Sequence, residues 1–224
     1  MDAARERLRM VETQIASRGV RDERVLQAMR SVPREQFVPA ALRAQAFDDH
    51  ALPIDAGQTI SQPFVVALML EAAAISPGDA VLEVGTGSGY ATALLSQLAA
   101  RVVAIERHES LALAARERLE RLGASNARVV HGDGTLGCPE LAPFDAIIVS
   151  AGGPEIPGPL REQLAIGGRL VIPIGESRER QRLLLIRRVD ERRWNTTDLG
   201  PVQFVPLLPG AAERPRGVDE FGRG

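Results

Sequence analysis

The sequence predicts an α/β fold with a mainly parallel, doubly covered sheet, antiparallel strands at one edge and a helical extension at the N-terminus. Three observations carry this. From about Phe64 onward, helix-period segments alternate with short apolar runs of strand length. The first such run ends in a glycine-rich turn that opens a helix, as in doubly wound sheets. The last two strand-like segments follow each other without a helix between them, so they can pair antiparallel.

Taken in order, Leu8, Val11 and Ile15 place a helix over residues 3–18, with Gly19 as its stop. A second helix covers 22–31 and ends before Pro33. Residues 33–63 are rich in Pro, Gly, Gln and Asp and read as irregular, with a short helix near 40–46; irregular segments of this length are usually functional. A helix over 64–74 and a turn at Ser76–Asp79 lead to a strand over 80–84. Next come a helix over 90–99, a strand over 101–105, a helix over 109–122 and a strand over 127–131. Residues 144–150 form a strand, 160–166 a helix and 169–174 a strand, and 181–189 pairs with 202–207. The organisation is thus an N-terminal helical and irregular extension (1–75), an α/β core (76–208) and a Pro-, Gly- and charge-rich tail (209–224) expected to lack structure.

The chain has 224 residues, 45% hydrophobic and 25% charged, enough for one domain with a full core. A net charge of −2 offers no basic footprint for nucleic acid. No run approaches the roughly 20 apolar residues of a membrane span. The charged N-terminus lacks the apolar stretch of a secretion signal, and the single cysteine, Cys138, has no partner for an intramolecular disulfide; both suit the cytoplasm. Every basic residue is Arg, which removes lysine Schiff-base and general-base chemistry. His50, His108 and His131 are scattered without ligand spacing, so no metal is expected.

In Val81-Leu82-Glu83-Val84-Gly85-Thr86-Gly87-Ser88-Gly89-Tyr90 the glycines let the backbone approach a cofactor closely, and the helix start offers amide groups. A dinucleotide fingerprint needs its third glycine where this chain has Tyr90. Glu83 would also repel a pyrophosphate, whereas S-adenosylmethionine brings a sulfonium and an ammonium and no phosphate. Glu106 ends the second core strand, where it can accept from ribose hydroxyls. Asp133-Gly134 follows the third, where a carboxylate can accept from the adenine amino group and the glycine lets the ring lie close.

Other segments closely resemble the protein-L-isoaspartate O-methyltransferase family: Val32-Pro33-Arg34-Glu35-Gln36-Phe37-Val38-Pro39, Leu52-Pro53-Ile54, Gly57-Gln58-Thr59-Ile60-Ser61-Gln62-Pro63 and Phe204-Val205-Pro206-Leu207. The resemblance spans roughly residues 8 to 208. It implies a Rossmann-like, S-adenosylmethionine-dependent methyltransferase with an N-terminal helical extension, acting as a monomer on isoaspartyl residues of damaged proteins. It makes Ser61 the active-site serine and Thr59, Ile60 and Ser61 the acceptor contacts. Glu83, Gly85, Thr86, Gly87, Ser88, Gly89, Glu106, Asp133 and Gly134 are the cofactor residues. The family also implies a methyl ester that closes to a succinimide and reopens partly to normal aspartate. A related carboxyl methyltransferase with another acceptor, or a cofactor-binding module without catalysis, remain open; an NAD-dependent oxidoreductase is disfavoured by Tyr90 and Glu83. Leu208 stands where some relatives carry a polar residue, which weakens the case for a cofactor contact there.

Overall fold

The structure is a computed structural model that describes residues 2–212. The expected tail beyond residue 212 lies outside the described residues.

Helix α1 (Ala3–Met10) is capped by Asp2, whose carboxylate accepts from the Ala4 amide at 3.1 Å. It runs into a π turn (Val11–Ile15) and a 3₁₀ turn (Ala16–Arg18), and left-handed Gly19 (φ 104°) stops it. Met10, Val11 and Ile15 are fully buried there. In α2 (Glu23–Ser31), Asp22 caps the Arg24 and Val25 amides, and Val25, Leu26, Ala28 and Met29 turn inward. Residues 32–62 are irregular apart from 3₁₀ turns and a small antiparallel pair, β1 (Leu52–Pro53) with β2 (Thr59–Ile60). Helix α3 (Pro63–Ala73) begins on a proline, whose missing N–H costs nothing at that position.

The core then runs β3 (Ala80–Val84), α4 (Tyr90–Leu98), β4 (Arg101–Glu106), α5 (Glu109–Arg121), β5 (Ala127–His131) and β6 (Phe144–Val149). It ends with α6 (Gly158–Glu162), β7 (Leu164–Ile174), β8 (Gln181–Arg188) and β9 (Trp194–Val202). The sheet order is β5-β4-β3-β6-β7-β8-β9. Strands β3 to β7 are parallel, and β8 and β9 antiparallel, as the sequence predicts in outline. After β5 the chain returns to the far side of β3, so the order reverses between β3 and β6 and opens a crevice at their carboxyl ends.

Alternate strand residues face two apolar layers. One joins Val81, Val102, Ala146 and Val171 to the N-terminal helices, α3 and α4 without a break. The other joins Leu82, Val103, Ile147 and Leu170 to Leu160 of α6. Arg169 fastens the first layer: it ion-pairs with Asp79 at 2.7 Å and donates to the Ala73 and Ala74 carbonyls at the end of α3.

Two boundaries depart from the sequence reading. The helix predicted over 160–166 is only Gly158–Glu162, because Leu164, fully buried, already pairs with Phe144 as the start of β7. The last edge strand is Trp194–Val202, not 202–207. Its Asn195-Thr196-Thr197-Asp198 stretch is solvent-exposed and pairs residue by residue with β8, so backbone bonding rather than apolar alternation makes it a strand. Residues 204–207 instead cross toward the crevice, where Pro206 bridges Gly152.

Candidate active site

The crevice holds a cavity whose floor is the β3 end. Gly85, Gly87 and Gly89 take left-handed φ values of 87°, 53° and 89°, which let the chain fold back on itself between Val84 and Tyr90. The amides of this turn are largely spent internally. Gly85 and Thr86 donate to the Ile105 carbonyl, Gly89 to Thr86, and Gly87 to Glu106 Oε2 at 2.8 Å. Little of the turn is left as a phosphate cradle, which corrects the expectation of free amides there and gives a second reason, beside Tyr90, against a dinucleotide.

Glu83 is fully buried. Thr92 donates its hydroxyl to Oε2, while Oε1, in the cavity wall, has no partner among the described residues. Burial pushes its carboxyl up to about 8; the Thr92 hydroxyl offsets part of that and the nearby Glu106 adds to it. Glu106 accepts from the Gly87 and His108 amides, which hold its carboxylate toward the same cavity. An unpartnered buried carboxylate beside a second one is a wall suited to a cation.

Thr59, Ile60 and Ser61, on and just after β2, line the same cavity. Thr59 and Ser61 also line an adjoining outer cavity together with His50, Gln62, Arg178 and Phe204. The Ser61 hydroxyl has no hydrogen-bond partner among the described residues. The loop carrying it is braced from the N-terminal extension. Asp49 accepts from Gln62 Nε2 (2.7 Å) and the Phe64 amide (3.2 Å), capping α3 in trans. Arg18 pairs with Asp49 and lies over the Phe64 ring.

The structure therefore gathers Thr59, Ile60, Ser61, Glu83, Gly85, Thr86, Gly87, Ser88, Glu106 and Gly134 around one cavity. Gly89 and Asp133 stand outside its wall. A Cβ on Gly89 would sit 3.2 Å from the Ala115 Cβ, so this glycine serves the packing of α4 on α5. Asp133 accepts from the Thr135 amide (2.8 Å) and hydroxyl (2.6 Å) and from the Gly210 amide (2.6 Å). Burial works against ionisation of Asp133, but those bonds and Arg107 outweigh it and hold its carboxyl below the usual range. In this arrangement it fastens the C-terminal segment, and contact with an adenine amino group needs that segment to yield.

That segment is a feature composition hid. Leu207 donates to the Gly152 carbonyl and Ala212 to the Arg107 carbonyl, each at 2.8 Å, so Pro209–Ala212 of the expected tail are tied down, and Leu207 and Leu208 line the cavity. Gln181 grips Phe204 from both sides, accepting its amide at 2.6 Å and donating to its carbonyl at 3.3 Å. Gln181, Thr92 and Asp49 were missed because a polar residue gives no periodic signal; a polar side chain inside an otherwise apolar strand is the only hint Gln181 offered.

A Cβ on Gly134 would meet Val84 Cγ1 at 2.4 Å. Val84 is buried within the sheet and its branched side chain is stiff, so it cannot give way. Gly134→Ala is expected to destabilise by about 1–3 kcal/mol and to weaken cofactor binding at least tenfold, read by thermal melting and by calorimetric titration with S-adenosylhomocysteine. An unchanged affinity would show that this wall does not touch the ligand.

Comparisons with known proteins point to one family. Residues 5–212 match the family model described as Protein-L-isoaspartate(D-aspartate) O-methyltransferase (PCMT). The chain is 57% identical over 209 residues to a protein-L-isoaspartate O-methyltransferase of Methylorubrum populi, covering 93% of this chain and 97% of the relative. It is 55% identical over 199 residues to protein-L-isoaspartate O-methyltransferase 2 of Pelobacter propionicus, covering 89% and 88%. A solved protein-L-isoaspartate O-methyltransferase superposes with a TM-score of 0.81 at 30% identity, covering 89% of this chain, which spans 65% of that structure's length. A Plasmodium falciparum structure assigned to the same enzyme and holding S-adenosyl-L-homocysteine superposes with a TM-score of 0.78 at 28% identity, covering 90% and 98%. With the family model spanning nearly all of the described residues, this chain belongs to the protein-L-isoaspartate(D-aspartate) O-methyltransferase family.

Proposed function

We infer that this chain transfers the methyl group of S-adenosylmethionine to the free carboxylate of isoaspartyl residues in proteins. One observation carries the reading beyond the family: the Ser61 hydroxyl, without a partner among the described residues, stands where a cavity walled by Glu83 and Glu106 meets an outer cavity. The inner cavity is the cofactor side and the outer one the acceptor side.

The inner wall fits the cofactor. Glu83 Oε1 lacks a partner and calls for a cation, and the spent turn amides call for no phosphate. Glu83, the 85–88 turn, Glu106 and Gly134 would hold it, and when bound it supplies a methyl group activated by a positively charged sulfur. The chain's task is then modest. An isoaspartyl carboxylate is ionised at neutral pH, its unperturbed pKa being near ~4, so no general base is required. Ser61 donates a hydrogen bond that orients this carboxylate. Positioning of this kind can contribute roughly 7–11 kcal/mol in favourable cases. Ile60, Val66, Leu207 and Leu208 line the cavity with apolar groups that exclude water, which strengthens every charge interaction inside.

The same reading takes the chain as a cytoplasmic monomer acting on damaged proteins; among the described residues no helix is long and apolar enough to cross a membrane. The test supplies methyl-labelled S-adenosylmethionine and paired peptides that differ only in Asp against isoAsp. Base-labile label on the isoAsp peptide alone is expected. Equal labelling of both peptides, or none, would overturn the reading.

A further inference from the structure

Among the described residues Arg34 heads the fully buried side chains by size and makes no ion pair. A buried cation without a carboxylate partner is a stability liability. Its contacts are Nε to the Ala46 carbonyl at 2.8 Å, Nη2 to the Ser61 carbonyl at 2.8 Å, and the guanidinium carbon 4.8 Å from the Tyr90 ring centroid. Nη1 and the Tyr90 hydroxyl make no well-formed hydrogen bond, though their groups lie close. Tyr90 is the first residue of α4, directly after the glycine turn, and lines the inner cavity; Phe37 packs edge-on against it at 5.5 Å. One planar group thus ties together the 40–46 segment, the serine loop and the start of α4.

We propose that Arg34 is a positioning residue for methyl transfer: it locks the Ser61 main chain against the glycine-turn helix and places a fixed positive charge behind the loop that receives the anionic acceptor. Two features support this. The bond to Ser61 is to its carbonyl, so the hydroxyl stays free for the acceptor while the backbone that aims it cannot drift. Asp49, whose field also reaches Arg34, is bonded to Arg18, Gln62 and the Phe64 amide instead, so Arg34 has no carboxylate in direct contact among the described residues. Burial lowers the Arg34 pKa, the Tyr90 hydroxyl opposing it, yet an arginine stays charged at neutral pH.

The inference rests on Ser61 being the acceptor donor, and a double-mutant cycle tests the two separately. Arg34→Met keeps an unbranched, flexible stem, shorter than the arginine, and removes the charge and both bonds. It is expected to lower kcat/KM for the isoaspartyl peptide on the order of 30- to 100-fold, with S-adenosylhomocysteine Kd within about threefold of wild type. In a Ser61→Ala background the same substitution should cost at least about threefold less than in wild type, because the main-chain lock acts through Ser61 and only the field of the guanidinium remains. Arg34→Lys, which keeps the charge and can reach one carbonyl, should recover part of the loss. Additive losses, or a parallel fall in S-adenosylhomocysteine affinity, would make Arg34 a merely structural residue and overturn the proposal. Failure of both Arg34 variants to fold would do the same. If Ser61→Ala alone loses nothing, the reading of Ser61 falls and this inference falls with it.

Discussion

Glu83→Gln is expected to raise the melting temperature of the ligand-free protein at pH 8 while weakening its grip on S-adenosylmethionine at least tenfold. The wild-type carboxyl, pushed up to about 8 by burial, keeps its proton in the fold over a window in which an unfolded chain, with a carboxyl near 4.5, has already released it. The folded state therefore binds more protons between those values. Ligand-free stability falls as pH rises through that window and levels off above it. The shift corresponds to roughly 4–5 kcal/mol of stability withheld by the ionised group at high pH. An amide has no such titration, so the variant should melt on the order of 10–15 °C higher than wild type at pH 8, with a smaller gap at pH 6. Binding runs the other way. A cationic ligand favours the ionised carboxylate, so wild-type affinity should rise toward tenfold per unit from pH 6 to 7.5, and the variant should be flat. Differential scanning and isothermal calorimetry check both halves. A wild-type affinity independent of pH, or a variant no more stable than wild type at pH 8, would refute this account of Glu83.

Ser61→Ala should lower kcat/KM for an isoaspartyl peptide by about 10- to 100-fold, the value of one hydrogen bond to a charged group at about 1.5–3 kcal/mol. S-adenosylhomocysteine affinity should stay within a few fold. The carboxylate loses its charge as the methyl arrives, so a bond to it is weaker in the transition state than before, and by itself would not speed the step. Its benefit must come from orientation, and the variant should lose in kcat as well as in KM. Single-turnover and steady-state kinetics on one peptide separate the two. Full activity in the variant would remove Ser61 from the mechanism, and a loss confined to KM would reduce it to a binding contact.

The core strands and the glycine turn were legible because each depends on neighbours in sequence. Val81 to Val84 is an apolar run of strand length, and Gly85 to Gly89 can only be a turn. Glu83 was legible as a charge that does not belong in such a run. Ser61 was not legible from the residues, since a serine in a polar loop is most often a turn or cap; resemblance alone singled it out. Asp133 shows the opposite limit. A carboxylate after a strand falls at the carboxyl edge of the sheet, but which donors reach it depends on Gly210, which no local pattern links to it. Trp194–Val202 was missed because an exposed edge strand carries little apolar signal and is made by its pairing with β8.

By itself the sequence determined the α/β order, the glycine turn after β3 and the absence of lysine chemistry, because those follow from residue type and short-range period. Tertiary structure alone decided that Glu83 Oε1 is left unpartnered, that Asp133 is taken by the C-terminal segment, and that Arg34 reaches the Ser61 carbonyl. Burial and hydrogen-bond partnership are properties of groups far apart in the chain, and only packing brings them within reach of each other.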